Sequence, residues 1–298
     1  MQILNAADES YKTLWTDEEK KYYDQFPVTI LNDLSCLLDD THDDFSFAWL
    51  NESPDIIEYN WEMFVLYSDL WKEGDKVSRF YPAMVEKLKT GDHKFKTLYT
   101  HDRRYEGLPN VKIVRPATPS YINTEHSKVY KKKNDLVFVT SNKYVTPLHR
   151  LRVDLLSPLI AMNVPCFGQG INPIKNKVKA LKDYRFCLVI ENGVFSGYHT
   201  EKIIDCFRTG TIPIYLGDPD IGDIFDEDGI IKVTQDDLKD IGSFLMNFID
   251  PIMAPSLEEF YMSKLEHVKN NFETSMAYDN HPKTVIRSIL KEEGFIDE

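Results

Sequence analysis

Two continuous runs of apolar residues, about one helix length apart, constrain the fold of this chain more than any other feature. They cover residues 186–190 and 212–216. Uninterrupted apolar runs of this length are typical of strands that are buried on both faces of a parallel sheet. Between them, residues 203–207 carry apolar side chains at helical spacing. The sequence therefore predicts a strand, a loop, a helix and a second strand over residues 184–217.

The loop in this unit has the composition of an anion-binding site. It contains Gly193 and Gly197, which permit sharp turns, and it ends near Thr200, where the helix pattern begins. Loops at the carboxyl ends of parallel strands bind ligands in open α/β sheets. A helix start offers backbone N–H groups to a phosphate, and Lys202 adds a positive charge. We therefore expect a phosphate group to bind at this loop.

Strand and helix patterns alternate along both halves of the chain. From residue 136 onwards, apolar strand patterns are separated by helix-length segments, which predicts right-handed crossovers and a parallel sheet. The amino-terminal part contains further strand patterns, at residues 28–31, 45–50, 63–66, 97–100 and 111–114. The predicted fold class is α/β, with two Rossmann-like α/β/α domains.

The domain boundaries follow from a change in composition. Residues 116–134 carry two prolines and a run of three lysines without sustained periodicity, as a linker does. We place a first domain at residues 1–125, a second at 126–275, and a carboxy-terminal helix and tail at 276–298. We expect that helix to pack back on the first half. With 298 residues and 42% apolar content, the chain can bury the cores of two domains.

Composition also excludes several classes of function. The formal net charge of −13 and the lack of a basic stripe argue against nucleic acid or an anionic membrane as partner. No stretch reaches the roughly eighteen apolar residues of a membrane-spanning helix, and the first residues lack the pattern of a signal peptide. We therefore expect a cytoplasmic protein. Four widely spaced cysteines predict neither a disulfide framework nor a zinc site.

The loop and its flanking strands resemble glycosyltransferase family 10, the inverting α-1,3-fucosyltransferases. In that family a strand ends in Glu-Asn, a short loop leads to Tyr-x-Thr-Glu-Lys and a helix, and the next strand carries a proline and ends at a glycine. Here the matching residues stand in the same order: Glu191, Asn192, Tyr198, Thr200, Glu201, Lys202, Pro213 and Gly217.

Two further segments resemble the same family. Residues 49–69 are similar to its block with Glu-Ser-Pro and the Asn-Trp segment that follows, and this block supplies Glu52. Residues 141–156 are similar to its Ser-Asn stretch with two arginines. This match places Arg150 at a donor-contacting arginine, and Arg152 fits in the alternative register.

The resemblance implies a GT-B-like architecture, in which the two Rossmann-like domains face a central cleft. It implies GDP-fucose as donor, a glycan hydroxyl as acceptor, inversion at the anomeric carbon, and neither a cofactor nor a metal. Because eukaryotic members are usually membrane-tethered, the missing anchor favours a bacterial or viral type, or a chain from which the anchor was trimmed. The predicted donor-binding residues are Arg150, Glu191, Asn192, Tyr198, Thr200, Glu201 and Lys202.

The chemistry of glycosyl transfer assigns roles to these residues. Lys202 and Arg150 are suited to neutralise the charge that develops on the leaving diphosphate. Glu201 and Asn192 are suited to bind ribose or sugar hydroxyls, and Tyr198 to stack on the donor or bond to it. Glu52 follows an apolar strand at its carboxyl end and is the candidate general base.

Each of these roles has a structural alternative. Glu52 also fits a solvated turn residue, and Glu201 and Lys202 fit an ordinary first helical turn. The Asp218-Pro-Asp220 segment has the spacing of a metal-binding Asp-x-Asp motif, but its proline and the preceding glycine favour a turn. For the whole chain, the alternatives are a transferase of the same fold that uses another nucleotide sugar, and a catalytically silent nucleotide-sugar or glycan-binding protein.

Overall fold

The computed structural model describes residues 2–5, 16–23, 25–26, 29–32, 46–50, 90, 97–144, 146–249 and 256–297. The chain divides into two compact units. Unit 1 comprises Met1–Ala117 with Asn280–Glu298, and unit 2 comprises Thr118–Asp279. Each unit contains a five-stranded sheet in which every described strand pair is parallel. The predicted α/β class with two parallel sheets is therefore confirmed.

The strands lie close to the positions that the apolar runs predict. The sheet of unit 1 has the order β1-β2-β3-β4-β5, and its strands are β1 Gln2–Asn5, β2 Thr29–Asn32, β3 Ser46–Leu50, β4 Thr97–Thr100 and β5 Val111–Ile113. The sheet of unit 2 has the order β10-β9-β8-β6-β7, and its strands are β6 Asn134–Val139, β7 Cys166–Phe167, β8 Tyr184–Ile190, β9 Ile212–Leu216 and β10 Ile231–Lys232. The predicted strand at 63–66 lies outside the described residues.

Helices connect the strands. In chain order they are α1 Asp17–Tyr23, α2 Pro147–Asp154, α3 Leu156–Ala161, α4 Val178–Leu181, α5 Glu201–Phe207, α6 Gln235–Lys239, α7 Ile241–Ile249, α8 Leu257–Ser263, α9 Leu265–Ala277 and α10 Pro282–Glu292. Among the described residues, none of these helices is both long enough and apolar enough to cross a membrane.

The sheet of unit 2 is buried on both faces, which explains its uninterrupted apolar strands. Alternate residues of a strand point to opposite faces. Phe186 and Leu188 of β8 pack in one apolar cluster with Ile214 of β9. Cys187 and Val189 of β8 pack in a second cluster on the other face. With apolar layers on both sides, the strands are fixed in position, and so are the loops at their carboxyl ends.

The last helix packs within unit 1. Ile286, Ile289 and Leu290 of α10 are fully buried, and they form an apolar cluster with Tyr99 of β4 and with Ala117. Just after the helix, Glu293 accepts hydrogen bonds from Thr97, Tyr99 and Lys112. The end of the chain is therefore part of the same compact unit as its beginning.

Candidate functional site

The order of the strands in unit 2 creates a ligand-binding position between β6 and β8. The chain runs from β6 outwards to β7, and then crosses back to place β8 on the other side of β6. At such a switch point the loops after the two central strands diverge and leave a crevice at the carboxyl edge of the sheet. Here the described residues of these loops are 140–144 and 191–200. The second of them carries most of the predicted donor-binding residues.

Glu191, at the start of the 191–200 loop, is hydrogen-bonded to residues at the end of the same loop. Its side chain is fully buried at the end of β8. One carboxylate oxygen accepts a hydrogen bond from the Thr200 backbone N–H at 2.9 Å, and the other accepts from Thr200 Oγ1 at 2.7 Å and from Lys202 Nζ at 3.0 Å. A buried carboxylate is stable only with such partners. The two ends of the loop are therefore tied together through this one side chain.

Lys202 stands at the start of α5 and combines an internal contact with partial exposure. Thr200 caps the helix. The Lys202 ammonium donates to Thr200 Oγ1 at 2.8 Å and to Glu191, and its side chain is 22% exposed. An ammonium has three N–H donors. Two of them bind described residues, which leaves one for a ligand at the rim of the loop.

Glu201 occupies the first helical turn beside two lysines. Lys177 Nζ lies 3.3 Å from its Oε1 atom, and the Glu201 side chain is 18% exposed. Burial disfavours the charged form of Glu201, but Lys202 and Lys177 outweigh that effect and lower its pKa to about 2. Glu201 is therefore a carboxylate at any physiological pH, able to accept hydrogen bonds from hydroxyl groups.

Asn192 is held from two sides, and one of its partners is Arg152. The Arg152 guanidinium donates to the Asn192 side-chain oxygen and to the Ile190 carbonyl, both at 2.9 Å. Thr146 Oγ1 donates to the Asn192 carbonyl at 3.2 Å. Arg152 is buried, and its Nε atom has no hydrogen-bond partner among the described residues. The start of α2 is thereby joined to the end of β8.

The two candidate arginines of α2 face different ways. Arg150 is exposed, and its guanidinium lies 5.6 Å from the centroid of the Tyr144 ring. Arg152 points to the end of β8. Residues two positions apart on a helix lie on different faces, so both cannot reach the same loop. The structure thus brings Arg152 to the other predicted site residues, and it places Arg150 on the outside of the helix.

The pKa of His149, at the start of α2, is lowered by burial and by nearby positive charges. Its ring is buried, and Nδ1 lies 2.8 Å from Thr146 Oγ1. Burial, together with the positive charges of Arg152, Lys143 and Lys202, lowers the pKa of His149 to about 3. The imidazole is therefore neutral at physiological pH. Three cations, Lys143 from the loop before α2, Arg152 from α2 and Lys202 from α5, therefore act on this ring together.

The far side of the loop rests on a buried polar layer. Tyr198 and His199 are both 1% exposed. His199 Nδ1 lies 3.2 Å from Asp218, and His199 Nε2 lies 2.8 Å from the Tyr278 hydroxyl. The other oxygen of Asp218 accepts from the backbone N–H groups of Gly197 and Asp220 at 2.9 Å. Asp218 therefore stabilises two turns, in line with the turn interpretation of the Asp-Pro-Asp segment.

A cavity of about 410 Å³ adjoins the loop at the carboxyl ends of β9 and β10. Val194 of the loop, Leu216, Pro219 and Val233 line it with apolar groups, and Thr234 adds a hydroxyl. The cavity therefore has room for a group of the size of a monosaccharide beside the 191–200 loop.

A cluster elsewhere in unit 2 has the residue types of a metal site, but its side chains are already hydrogen-bonded to one another and to their neighbours. Asp226, Asp228 and His267 lie close enough together to share an ion. However, Asp226 accepts hydrogen bonds from His267 Nδ1 at 2.8 Å, from Asn270 at 3.0 Å and from the Asp228 backbone at 3.1 Å. These bonds account for the cluster as a link between α9 and the 226–229 turn.

Two residues of the site carry no sequence signal that separates them from others of their type. Lys177 lies in a stretch with several other lysines, and Asp205 stands within α5. An acid among apolar residues of a helix does suggest a buried ion pair, but its partner cannot be read from the pattern. Glu52, the predicted base, lies outside the described residues, and its role stays a prediction.

Gly217 is required by the close approach of β9 to Glu191. A Cβ atom added there would overlap the buried Tyr215 hydroxyl and lie 2.6 Å from Glu191 Cγ. We expect Gly217→Ala to destabilise the protein by about 1–3 kcal/mol, as overpacking does. Gly242→Ala is the matched control, since its added Cβ would meet its nearest neighbour, Asp240, at an ordinary 3.5 Å. Thermal denaturation measures both, and equal melting temperatures for the two variants would contradict the prediction.

Comparison with known proteins identifies one family model. Residues 129–250 match the sequence model described as glycosyltransferase family 10 (fucosyltransferase), C-term. The resemblance to this family that the loop motif indicated is therefore confirmed over these residues.

A relative and two solved structures show the extent of the similarity. An α-(1,3)-fucosyltransferase FucT of Helicobacter pylori is 43% identical over 60 residues, which cover 20% of this chain and 13% of that protein. A crystal structure of an α1,3-fucosyltransferase with GDP aligns with a TM-score of 0.46 and 18% identity, over 94% of this chain and 92% of that one. Another, with GDP-fucose, has a TM-score of 0.39 and 17% identity, over 91% of this chain and 77% of that one.

Proposed function

We propose that this protein transfers fucose from GDP-fucose to a hydroxyl of a glycan acceptor, with inversion at the anomeric carbon and without a bound metal. The observation that carries the proposal is that Lys202 and Arg152 both lie at the end of β8, at the switch point and within the residues that match the family 10 sequence model. A diphosphate is the ligand that such an edge of a parallel sheet favours.

The cations act on the leaving group. When the bond from the anomeric carbon to the phosphate breaks, negative charge builds up on the diphosphate. The third N–H of Lys202 is suited to donate to a phosphate oxygen, and a charge-assisted bond of this kind strengthens as the charge develops. The terminal nitrogens of Arg152 already bind Ile190 and Asn192. Arg152 therefore contributes the field of its charge and fixes Asn192 at the edge of the site.

The neighbouring groups are suited to bind the rest of the donor. Glu201, ionised and partly exposed, accepts hydrogen bonds from the ribose hydroxyls. The apolar cavity beside Val194 takes the transferred sugar, whose methyl group and ring C–H edges fit an apolar wall. Tyr198 lies beneath the loop, so in this arrangement it supports the loop from its buried side.

The acceptor hydroxyl must lose its proton as it attacks. In an inverting reaction a single base does this, and no covalent intermediate forms. Glu52 is our candidate for the base, on the strength of its sequence block. The proposal includes no metal, because Lys202 and Arg152 supply the positive charge that the leaving diphosphate needs.

The test is turnover with a defined donor. The full-length protein is incubated with GDP-fucose and a panel of disaccharide acceptors, and GDP release is measured with and without EDTA. Release that depends on acceptor and persists in EDTA supports the proposal, and proton NMR of the first product shows whether the fucosidic linkage is inverted. Turnover of a different nucleotide sugar would identify a transferase with another donor. GDP binding without turnover of any donor would favour a silent binding protein.

A further inference from the structure

We propose that Lys177 is a positioning residue that holds Glu201 in place for the hydroxyls of the nucleoside part of the donor. This inference rests on the proposed function, because it assigns a support to one of the donor contacts. Lys177 precedes α4, outside the sequence motif that defines the site.

Lys177 bridges two acids on one face of α5. Its ammonium lies 2.8 Å from Asp205 Oδ2 and 3.3 Å from Glu201 Oε1. Glu201 and Asp205 are four residues apart, so they lie one turn apart on the same side of the helix. The Asp205 side chain is 1% exposed, whereas those of Lys177 and Glu201 are 22% and 18% exposed. The bridge therefore runs from a buried anchor to the rim of the site.

The anchor itself is fixed from another segment of the chain. Asp205 Oδ1 accepts hydrogen bonds from Ser120 Oγ at 2.5 Å and from the Tyr121 backbone N–H at 2.9 Å. In addition, the Lys177 ammonium lies 4.5 Å from the centroid of the Tyr121 ring, a cation–π distance. The position of the ammonium is thus set by Asp205 and Tyr121, independently of Glu201.

This arrangement orients Glu201 and leaves some of its hydrogen-bond acceptor sites for a ligand. Asp205 already balances the charge of Lys177 at the shorter distance. An ionised carboxylate has about four lone-pair sites, and on Glu201 Lys177 uses one of them and the Thr200 side chain another. The remaining sites are available to hydroxyl donors. A carboxylate fixed in this way loses less side-chain entropy when the ligand binds than a mobile one does.

Lys177 also keeps Glu201 ionised. The charged groups that act on Glu201 are Lys202 on its own helix, Lys177 before α4, Arg152 on α2 and the buried Asp205. Together the two lysines hold the pKa of Glu201 at about 2 despite its burial. Without Lys177, burial and Asp205 favour protonation while Lys202 alone opposes it, so the pKa of Glu201 rises from about 2 towards its ordinary value.

The experiment measures GDP binding by calorimetry between pH 4.5 and 8 for the wild type, Lys177→Met and Lys177→Arg. Lys179→Met is the matched control, because Lys179 lies on α4 with an exposed side chain. We expect Lys177→Met to weaken GDP binding about tenfold at pH 7.5. We expect the ratio of its affinity to that of the wild type to fall further at the acid end of this range, since Glu201 begins to take up a proton in the variant and not in the wild type. Using the ratio cancels the titration of GDP itself.

The conservative and combined variants separate positioning from a structural role. Lys177→Arg restores a cation and should recover the wild-type pH profile. Combining Lys177→Met with Glu201→Gln should weaken binding no further than Glu201→Gln alone, since Lys177 acts through Glu201. If the Met variant does not fold, Lys177→Gln keeps a hydrogen-bond donor to Asp205 and takes its place.

The outcomes distinguish this inference from the proposed function. If the wild type binds GDP and Lys177→Met binds it equally well at every pH, Lys177 does not position Glu201. Additive losses in the double variant, or an unchanged ratio at low pH, likewise overturn the inference. If the wild type does not bind GDP at all, the proposed function fails, and this assignment fails with it.

Discussion

Glu52→Gln should lower kcat for fucosyl transfer by about 100- to 10,000-fold, the range that a general base contributes. The amide is isosteric with the carboxylate but cannot take the proton from the acceptor hydroxyl. Affinity for GDP should stay within about twofold of the wild type, since in our proposal the base belongs to the acceptor side and does not touch the nucleotide. Steady-state kinetics with saturating donor and calorimetry with GDP measure the two quantities.

Glu58→Gln is a suitable control, because it makes the same chemical change six residues further along the chain. It should leave kcat unchanged. Full activity in Glu52→Gln would remove Glu52 from the mechanism while leaving the diphosphate site intact. A parallel loss of GDP binding in that variant would instead indicate that the substitution disturbs the fold.

Lys202→Met should weaken GDP binding by about 10- to 100-fold, the value of one charge-assisted hydrogen bond. It should also destabilise the protein by about 3 kcal/mol, because Glu191 is fully buried and would lose the cation that compensates its charge. Calorimetry and chemical denaturation give these two numbers separately.

A double variant separates the two effects. In Lys202→Met with Glu191→Gln, the buried charge is gone, and the amide still offers hydrogen bonds to Thr200. We expect most of the stability to return while GDP binding stays weak. Lys239→Met serves as the control, since its ion pair with Asp236 is on the surface and contributes little. Wild-type GDP affinity in the double variant would show that Lys202 does not contact the diphosphate.

Much of unit 2 could be predicted from local patterns. The apolar runs at residues 186–190 and 212–216 fall in β8 and β9, and β9 has the predicted bounds. No strand was predicted at Gln2–Asn5, where only a short apolar stretch is present.

The sequence motif named residues of the 191–200 loop, but it did not name the residues around the loop that hold them. The motif named Glu191, Thr200 and Lys202, which the structure joins in one hydrogen-bonded group. The register of the arginine stretch left Arg150 and Arg152 as alternatives. Only the direction in which α2 faces the end of β8 separates them, because that direction depends on how the helix packs on the sheet.

By itself, the sequence determined the spacing of apolar residues in each strand and helix, the capping residues and the start of the 191–200 loop. These features depend on neighbours within a few positions of the chain. Tertiary structure alone decided which polar groups meet. Ser120 donates a hydrogen bond to Asp205 across 85 positions of the chain, and Lys202 donates to Glu191 from the other end of the 191–200 loop. Contacts of this kind act through space, so no local pattern can specify them until the sheet has brought its loops to one edge.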